Sequence, residues 1–133
     1  NTRTGWNTLA GSYGFRTSCT EVSWRCPKTD KMVAAFFSDG LSMEIKNAIL
    51  CYSGGYLIIT ENGKVIPTMS TFTWDTKVSM VWNAGASTVC YKKNGLQFYC
   101  SSIPPLPSTY FFQVTMYDFG AQMKDAAFES WEC

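Results

Sequence analysis

At 133 residues, with 46% hydrophobic and 16% aromatic content, the chain is long enough to bury one core and too apolar to be disordered. Eleven basic and ten acidic residues leave a net charge of +1, which gives no electrostatic footprint for nucleic acid or an anionic membrane. No apolar run approaches the roughly 18–20 residues needed to span a bilayer, so no membrane insertion is expected.

Residues 1–12 are mostly polar and rich in Gly and Thr, with Trp6 as their only aromatic group. They read as a loosely held arm on a single domain spanning residues 1–133, and no leader pattern precedes Asn1, as in a processed or trimmed chain. Tyr13–Arg16 and Glu21–Arg25 read as short strands, followed by a turn at Cys26–Asp30. Lys31–Ser38 is nearly continuously apolar and suits a central strand, although its alanines also permit one helical turn. Leu41–Lys46 alternates apolar and polar after Asp39-Gly40. Asn47–Tyr52 and Tyr56–Glu61 flank a turn at Ser53-Gly54-Gly55. Asn62-Gly63 turns the chain back through Lys64–Pro67, and Met69–Trp74 is a connection or an edge strand. Lys77–Trp82 alternates, with Val78, Met80 and Trp82 on one face.

The clearest element runs from Thr88 to Ser101. Asn94-Gly95 suits a two-residue type I′ turn, which pairs Lys93 with Leu96, Tyr91 with Phe98 and Val89 with Cys100. That register puts Val89, Tyr91, Leu96, Phe98 and Cys100 on a buried face, and Cys90, Lys92, Gln97 and Tyr99 on a face open to a partner. Ile103–Pro107 must be a loop, because proline cannot donate into a ladder. Thr109–Tyr117 is a long strand. Asp118-Phe119-Gly120 turns into Ala121–Trp131, which could start helically but closes as a strand near Phe128–Trp131. Roughly ten short strands with turn signals every 8–12 residues describe an antiparallel β-sandwich or barrel.

The six cysteines, at 19, 26, 51, 90, 100 and 133, form an even set without any C-x-x-C. With no histidine in the chain, a zinc site is not expected, and neither is any cofactor. Disulfides point to a secreted or virion-surface domain, the other reading being buried free thiols in an intracellular or viral protein. Cys19 and Cys26 are the easiest local pair, whereas the hairpin register sets Cys90 and Cys100 on opposite faces. No N-x-S/T sequon is present.

Without histidine there is no Ser-His-Asp or Cys-His arrangement. Glu129 and Glu132 are the only close glutamate pair, and Glu44 stands alone in an alternating strand, so the sequence reads as non-enzymatic. The 21 aromatics (five Trp, seven Tyr, nine Phe) exceed what one small core needs, leaving some for a ligand or a subunit interface. Sugar recognition combines an aromatic ring against a pyranose face with amides and carboxylates for the hydroxyls. Trp74 and Asp75 place both ingredients together in a connecting segment. Asn83, Lys92, Gln97 and Tyr99 are the further ligand candidates, on the open face of the hairpin or its rim. Three have a plainer reading: core packing under a loop for Trp74, an ordinary solvent or subunit-covered face for Tyr99 and Gln97.

VSMVWN at 78–83, TVCYKKNG at 88–95, YFF at 110–112 and YDFGAQMKDAAF at 117–128 occur in order. This succession is similar to the second half of concanavalin A-like domains, the lectin, glucanase, laminin-G and SPRY group. There a V-x-V-x-W strand precedes a TVxYxxNG hairpin, a later strand and a closing GAxxxDxxF segment. The resemblance covers residues 74–131 and implies a concanavalin A-like jelly roll. It leaves the function open among lectins, hydrolases and protein-recognition modules. The acidic E-x-D-x-E strand of the glucanases is absent, as is a legume-lectin calcium run. MEIKNAILCYSGGYLII at 43–59 is similar to the central strands of small tumour-necrosis-factor-like ligands. The expectation is therefore a non-catalytic recognition domain whose partner is a glycan or glycoprotein receptor, with a homo-oligomer allowed. The alternative is a trimeric receptor-binding ligand of tumour-necrosis-factor-like or viral fibre-head type.

Overall fold

Alternation along the chain becomes eleven strands: β1 (Thr8–Phe15), β2 (Ser18–Arg25), β3 (Val33–Ser38), β4 (Ile45–Tyr52), β5 (Tyr56–Glu61), β6 (Lys64–Thr71), β7 (Lys77–Asn83), β8 (Thr88–Lys93), β9 (Leu96–Ser102), β10 (Thr109–Met116) and β11 (Lys124–Glu132). They come from a computed structural model that describes residues 8–15, 18–28, 32–38, 45–83, 85–102, 109–116 and 124–132. All described pairings are antiparallel. One sheet has the order β1-β10-β3-β4-β5-β6 and the other β11-β2-β7-β8-β9. The fold is a concanavalin A-like jelly-roll β-sandwich. Within the second resemblance, at 43–59, residues 45–59 belong to the β4–β5 hairpin of this sandwich; Met43 and Glu44 lie outside the described residues.

The core follows from the strand period of two. Val22 and Trp24 on β2, Val78, Met80 and Trp82 on β7, and Val89 and Tyr91 on β8 point inward from one sheet. Val33, Ile49, Leu57 and Ile59 meet them from the other, and all are essentially sealed from solvent. Lys31–Ser38 shortens to β3, an interior strand between β10 and β4, as its apolar run requires. Of the stretch expected as an arm, Thr8–Ser12 belong to β1 and pair with β10, and residues 1–7 lie outside the described residues.

Covalent links differ from the local expectation. Cys26 bonds to Cys51, not Cys19, with a Cα–Cα distance of 5.9 Å. The bond ties the end of β2 to the end of β4 and so clamps one sheet to the other. Both cysteines are fully buried. Cys19 is also disulfide-bonded.

The β8–β9 hairpin turns at Asn94-Gly95, both with positive φ, and pairs Lys93 with Leu96 as the turn type dictates. Beyond that the register breaks. Lys92 pairs with Gln97, but Tyr91 pairs with Tyr99 and Cys90 with Cys100, so Phe98 is an extra residue in a β-bulge. The slip brings Cys90 and Cys100 to the same face, where they form a disulfide with a Cα–Cα distance of 4.1 Å. It also packs the half-buried Tyr99 against the core beside Tyr91; Leu96, on the turn side of the bulge, is exposed. A bulge inverts the faces of every residue beyond it, which is why simple alternation misassigns this half of the strand.

Lys64–Pro67 and Met69–Trp74 resolve into one edge strand, β6, interrupted opposite Ile58. Leu57 pairs with Ser70 and Ile59 with Ile66, so Pro67, Thr68 and Met69 bow out together. Met69 is 96% exposed with a φ of 53°. On the other side of β5, the Ser53–Gly55 turn needs φ values of 95° at Gly54 and 88° at Gly55. A Cβ at Gly54 would sit 3.1 Å from the Tyr56 ring. Gly54→Ala should therefore lower stability by about 1–2 kcal/mol in urea unfolding. An unchanged midpoint would show that the turn relaxes freely.

Candidate functional site

One end of the sandwich gathers exposed aromatic and charged groups. There β2 stops at Arg25, the β4–β5 turn returns, and the Phe72–Thr76 connection crosses from one sheet to the other. Within that connection Phe72 is 3% and Thr76 5% exposed, while Trp74 between them is 59% exposed. The anchoring is polar as well as apolar. Thr73 N donates to Thr76 Oγ1 at 3.0 Å and Thr76 N to Thr73 O at 3.1 Å. Cys26 N donates to Thr76 O at 2.9 Å, Asp75 N to Cys26 O at 3.3 Å, and Phe72 N to Gly55 O at 2.8 Å. Trp74 thus rides on a short turn pinned to the end of β2 and to the β4–β5 turn, a pre-organised perch for a ring. Asp75 takes a φ of 76°, a backbone state that Asp tolerates better than most residues.

Lys28 Nζ stands 6.0 Å from the centroid of the Trp74 ring, at the outer limit of a cation–π contact. Arg25 is more fully engaged. Its Nη1 donates to Asp75 O at 2.9 Å and lies 3.9 Å from Asp75 Oδ2, while Nε lies 3.2 Å from Asp125 Oδ2. At the same end Tyr52, Tyr56 and Thr71 form one row across β4, β5 and β6. All three are exposed.

The six candidate residues do not converge. Trp74 and Asp75 belong to this end. Asn83 lies at the far end of β7, where its Oδ1 accepts from Ala86 N at 2.9 Å and fastens the β7–β8 loop. Lys92 holds Glu21 Oε1 at 3.2 Å on the outer face of its sheet, with exposed Gln97 paired opposite it. Tyr99 is half-buried against the core, its ring centroid 6.0 Å from that of Tyr91. Burial, then the nearby Glu61 carboxylate, push the Tyr99 phenol above its ordinary pKa. Arg25, Lys28, Tyr52 and Tyr56 were not anticipated. A readable signal existed for the tyrosines: directly paired residues across a tight turn share a face.

A second polar layer lies between the sheets. Asn47 Nδ2 donates to Glu61 Oε2 at 3.0 Å, and the sealed Tyr91 hydroxyl has no well-formed hydrogen bond. Burial drives the Tyr91 pKa far above the ordinary phenol value; Asn47 opposes this and Glu61 adds to it.

No protein-family model matches the chain, and no curated protein sequence matches it. Similar solved structures include the SPRY domain of human HERC1, with 17% identity, TM-score 0.61, and coverage of 93% of this chain and 80% of that one. The alginate lyase AlgAT5 of polysaccharide lyase family 7 gives 15% identity and TM-score 0.60, covering 92% of this chain and 63% of that one. A tetrameric galectin from the ball sponge Cinachyrella sp. gives 16% identity and TM-score 0.59, covering 94% of this chain and 99% of that one. At such identities the likeness shows the architecture they share.

Proposed function

We propose that the chain is a non-catalytic recognition domain whose ligand is a glycan, bound at the end of the sandwich that presents Trp74. The observation that carries this is an indole 59% exposed on a turn fastened by backbone hydrogen bonds on both sides. Holding a large apolar ring in water is unfavourable unless a partner covers it. A planar ring beside carboxylate, hydroxyl and ammonium groups suits a sugar, whose C–H face stacks while its hydroxyls bond the polar rim. Tyr52, Tyr56 and Thr71 extend the surface, and Asp75 and Lys28 supply the rim. Of the other candidates, Lys92 and Gln97 would contribute only to an extended ligand, and Asn83 and Tyr99 only indirectly. Two described disulfides favour an extracellular or virion-surface setting with a glycoprotein receptor.

A glycan array read together with the oligomer mass tests the proposal. Binding should appear for a defined glycan group, and Trp74→Ala should weaken it at least about tenfold, near 1.4 kcal/mol, with folding intact by circular dichroism. No binding at high protein density would remove the glycan reading.

A further inference from the structure

The net charge conceals a polarity along the sandwich. At the Trp74 end the described charged residues are Arg25, Lys28, Lys77, Lys93 and Lys124, the last paired with Arg25, against Asp75 and Asp125. Those two carboxylates are both directed at Arg25, and against the five cations they leave an excess of three positive charges. Among the described residues, no ion pair engages Lys28, Lys77 or Lys93. The register fixes their position. Lys77 pairs with Arg25, and Lys93, paired with Val78, stands beside the Asn94-Gly95 turn. That turn is held against β7 by Asn94 N donating to Lys77 O at 2.7 Å and Lys77 N to Asn94 Oδ1 at 3.0 Å. At the opposite end the described charges are Glu61, Lys64 and Glu132.

We infer that the Trp74 end selects glycans carrying a negative charge, a carboxylate or a sulfate ester on the sugar that stacks on Trp74. The inference rests on the glycan reading above and adds the ligand's charge to it. Lys28 is the residue that reads that charge. It is exposed, and among the described residues its ammonium meets the weak attraction of the ring face and no ion pair, so it can turn to an anion seated beside the indole. Lys77 and Lys93 raise the local potential and attract the anion from a distance. Arg25 plays a different part: saturated by Asp75 and Asp125, it stiffens the turn that carries Trp74.

The test measures binding of three probes to the intact domain by calorimetry: lactose, 3′-sialyllactose and 6-sulfolactose, each in 50 mM and 300 mM salt. The carboxylate and sulfate arms identify which anion is taken. The expected result is at least about tenfold tighter binding of one anionic probe than of lactose. Added salt should weaken it severalfold, and Lys28→Met should bring it close to the lactose value. Lys64→Met, at the other end, should change nothing. Equal affinity for lactose and both anionic probes, indifferent to salt and to Lys28→Met, would overturn the charge selectivity while leaving glycan binding intact. No binding of any probe, and none on the array, would overturn both. Dextran sulfate or single-stranded DNA bound as tightly as the anionic sugar, and unaffected by Trp74→Ala, would reduce the patch to bare polyanion adsorption and also overturn the inference.

Discussion

Replacing Cys26 and Cys51 together by alanine is expected to cost about 3–4 kcal/mol of stability, the entropy that a cross-link spanning 25 residues removes from the unfolded chain. The effect should exceed that of removing Cys90–Cys100, whose separation is 10 residues, by several tenths of a kcal/mol from loop length alone. A second consequence is more specific. The Cys26 amide and carbonyl hold Thr76 and Asp75, so a loosened β2 end should also free the Trp74 turn. Urea unfolding with intrinsic tryptophan fluorescence gives the stability, and ligand affinity measured well below the unfolding midpoint gives the second effect. A loss under about 1 kcal/mol would mean that the sheets are held by packing alone.

Two substitutions at Tyr91 should diverge. Tyr91→Ala empties a fully buried ring site between the sheets and should cost about 3–5 kcal/mol. Tyr91→Phe keeps the ring and removes a sealed hydroxyl that lacks a well-formed hydrogen bond, so it should be neutral or stabilising by up to about 1 kcal/mol. The pH dependence follows from the same burial. The folded state holds the phenol proton above its ordinary value, whereas the unfolded chain releases it near pH 10. The stabilisation is complete below about pH 10 and is lost as the pH climbs above it. In Tyr91→Phe the alkaline decline should become shallower, the raised Tyr99 still contributing. An identical alkaline slope in both proteins would show that Tyr91 is not the group responsible.

The parts of this fold that were legible in the sequence are those set by neighbouring residues. Asn94-Gly95 named its turn and the Lys93–Leu96 pair, and the alternation of Val78, Met80 and Trp82 named an inward face. The bulge at Phe98 was not legible, because Leu96, Phe98 and Cys100 form an uninterrupted alternation that hides the extra residue. Tyrosine added to the error, since its polar tip fits either side of a sheet. Cys26–Cys51 was hidden for another reason: the bond depends on how two sheets stack, and spacing along the chain carries no record of that. Trp74 and Asp75 could be singled out because both ingredients were adjacent. Lys28, Arg25 and the Tyr52–Tyr56 pair join them only once three separate turns meet at one end.

The bowed segment of β6 also limits how copies of this molecule can associate. An edge strand ordinarily offers a row of amides and carbonyls on which another chain can crystallise, one layer after the next. Here Pro67 has no amide to offer, and Met69 leaves the strand line with left-handed backbone. The β6 border of the larger sheet is therefore a poor template for templated growth, even though β5 beside it is rich in isoleucine. Assembly through strand addition is disfavoured at this border, which carries Thr71 of the Tyr52–Tyr56–Thr71 row.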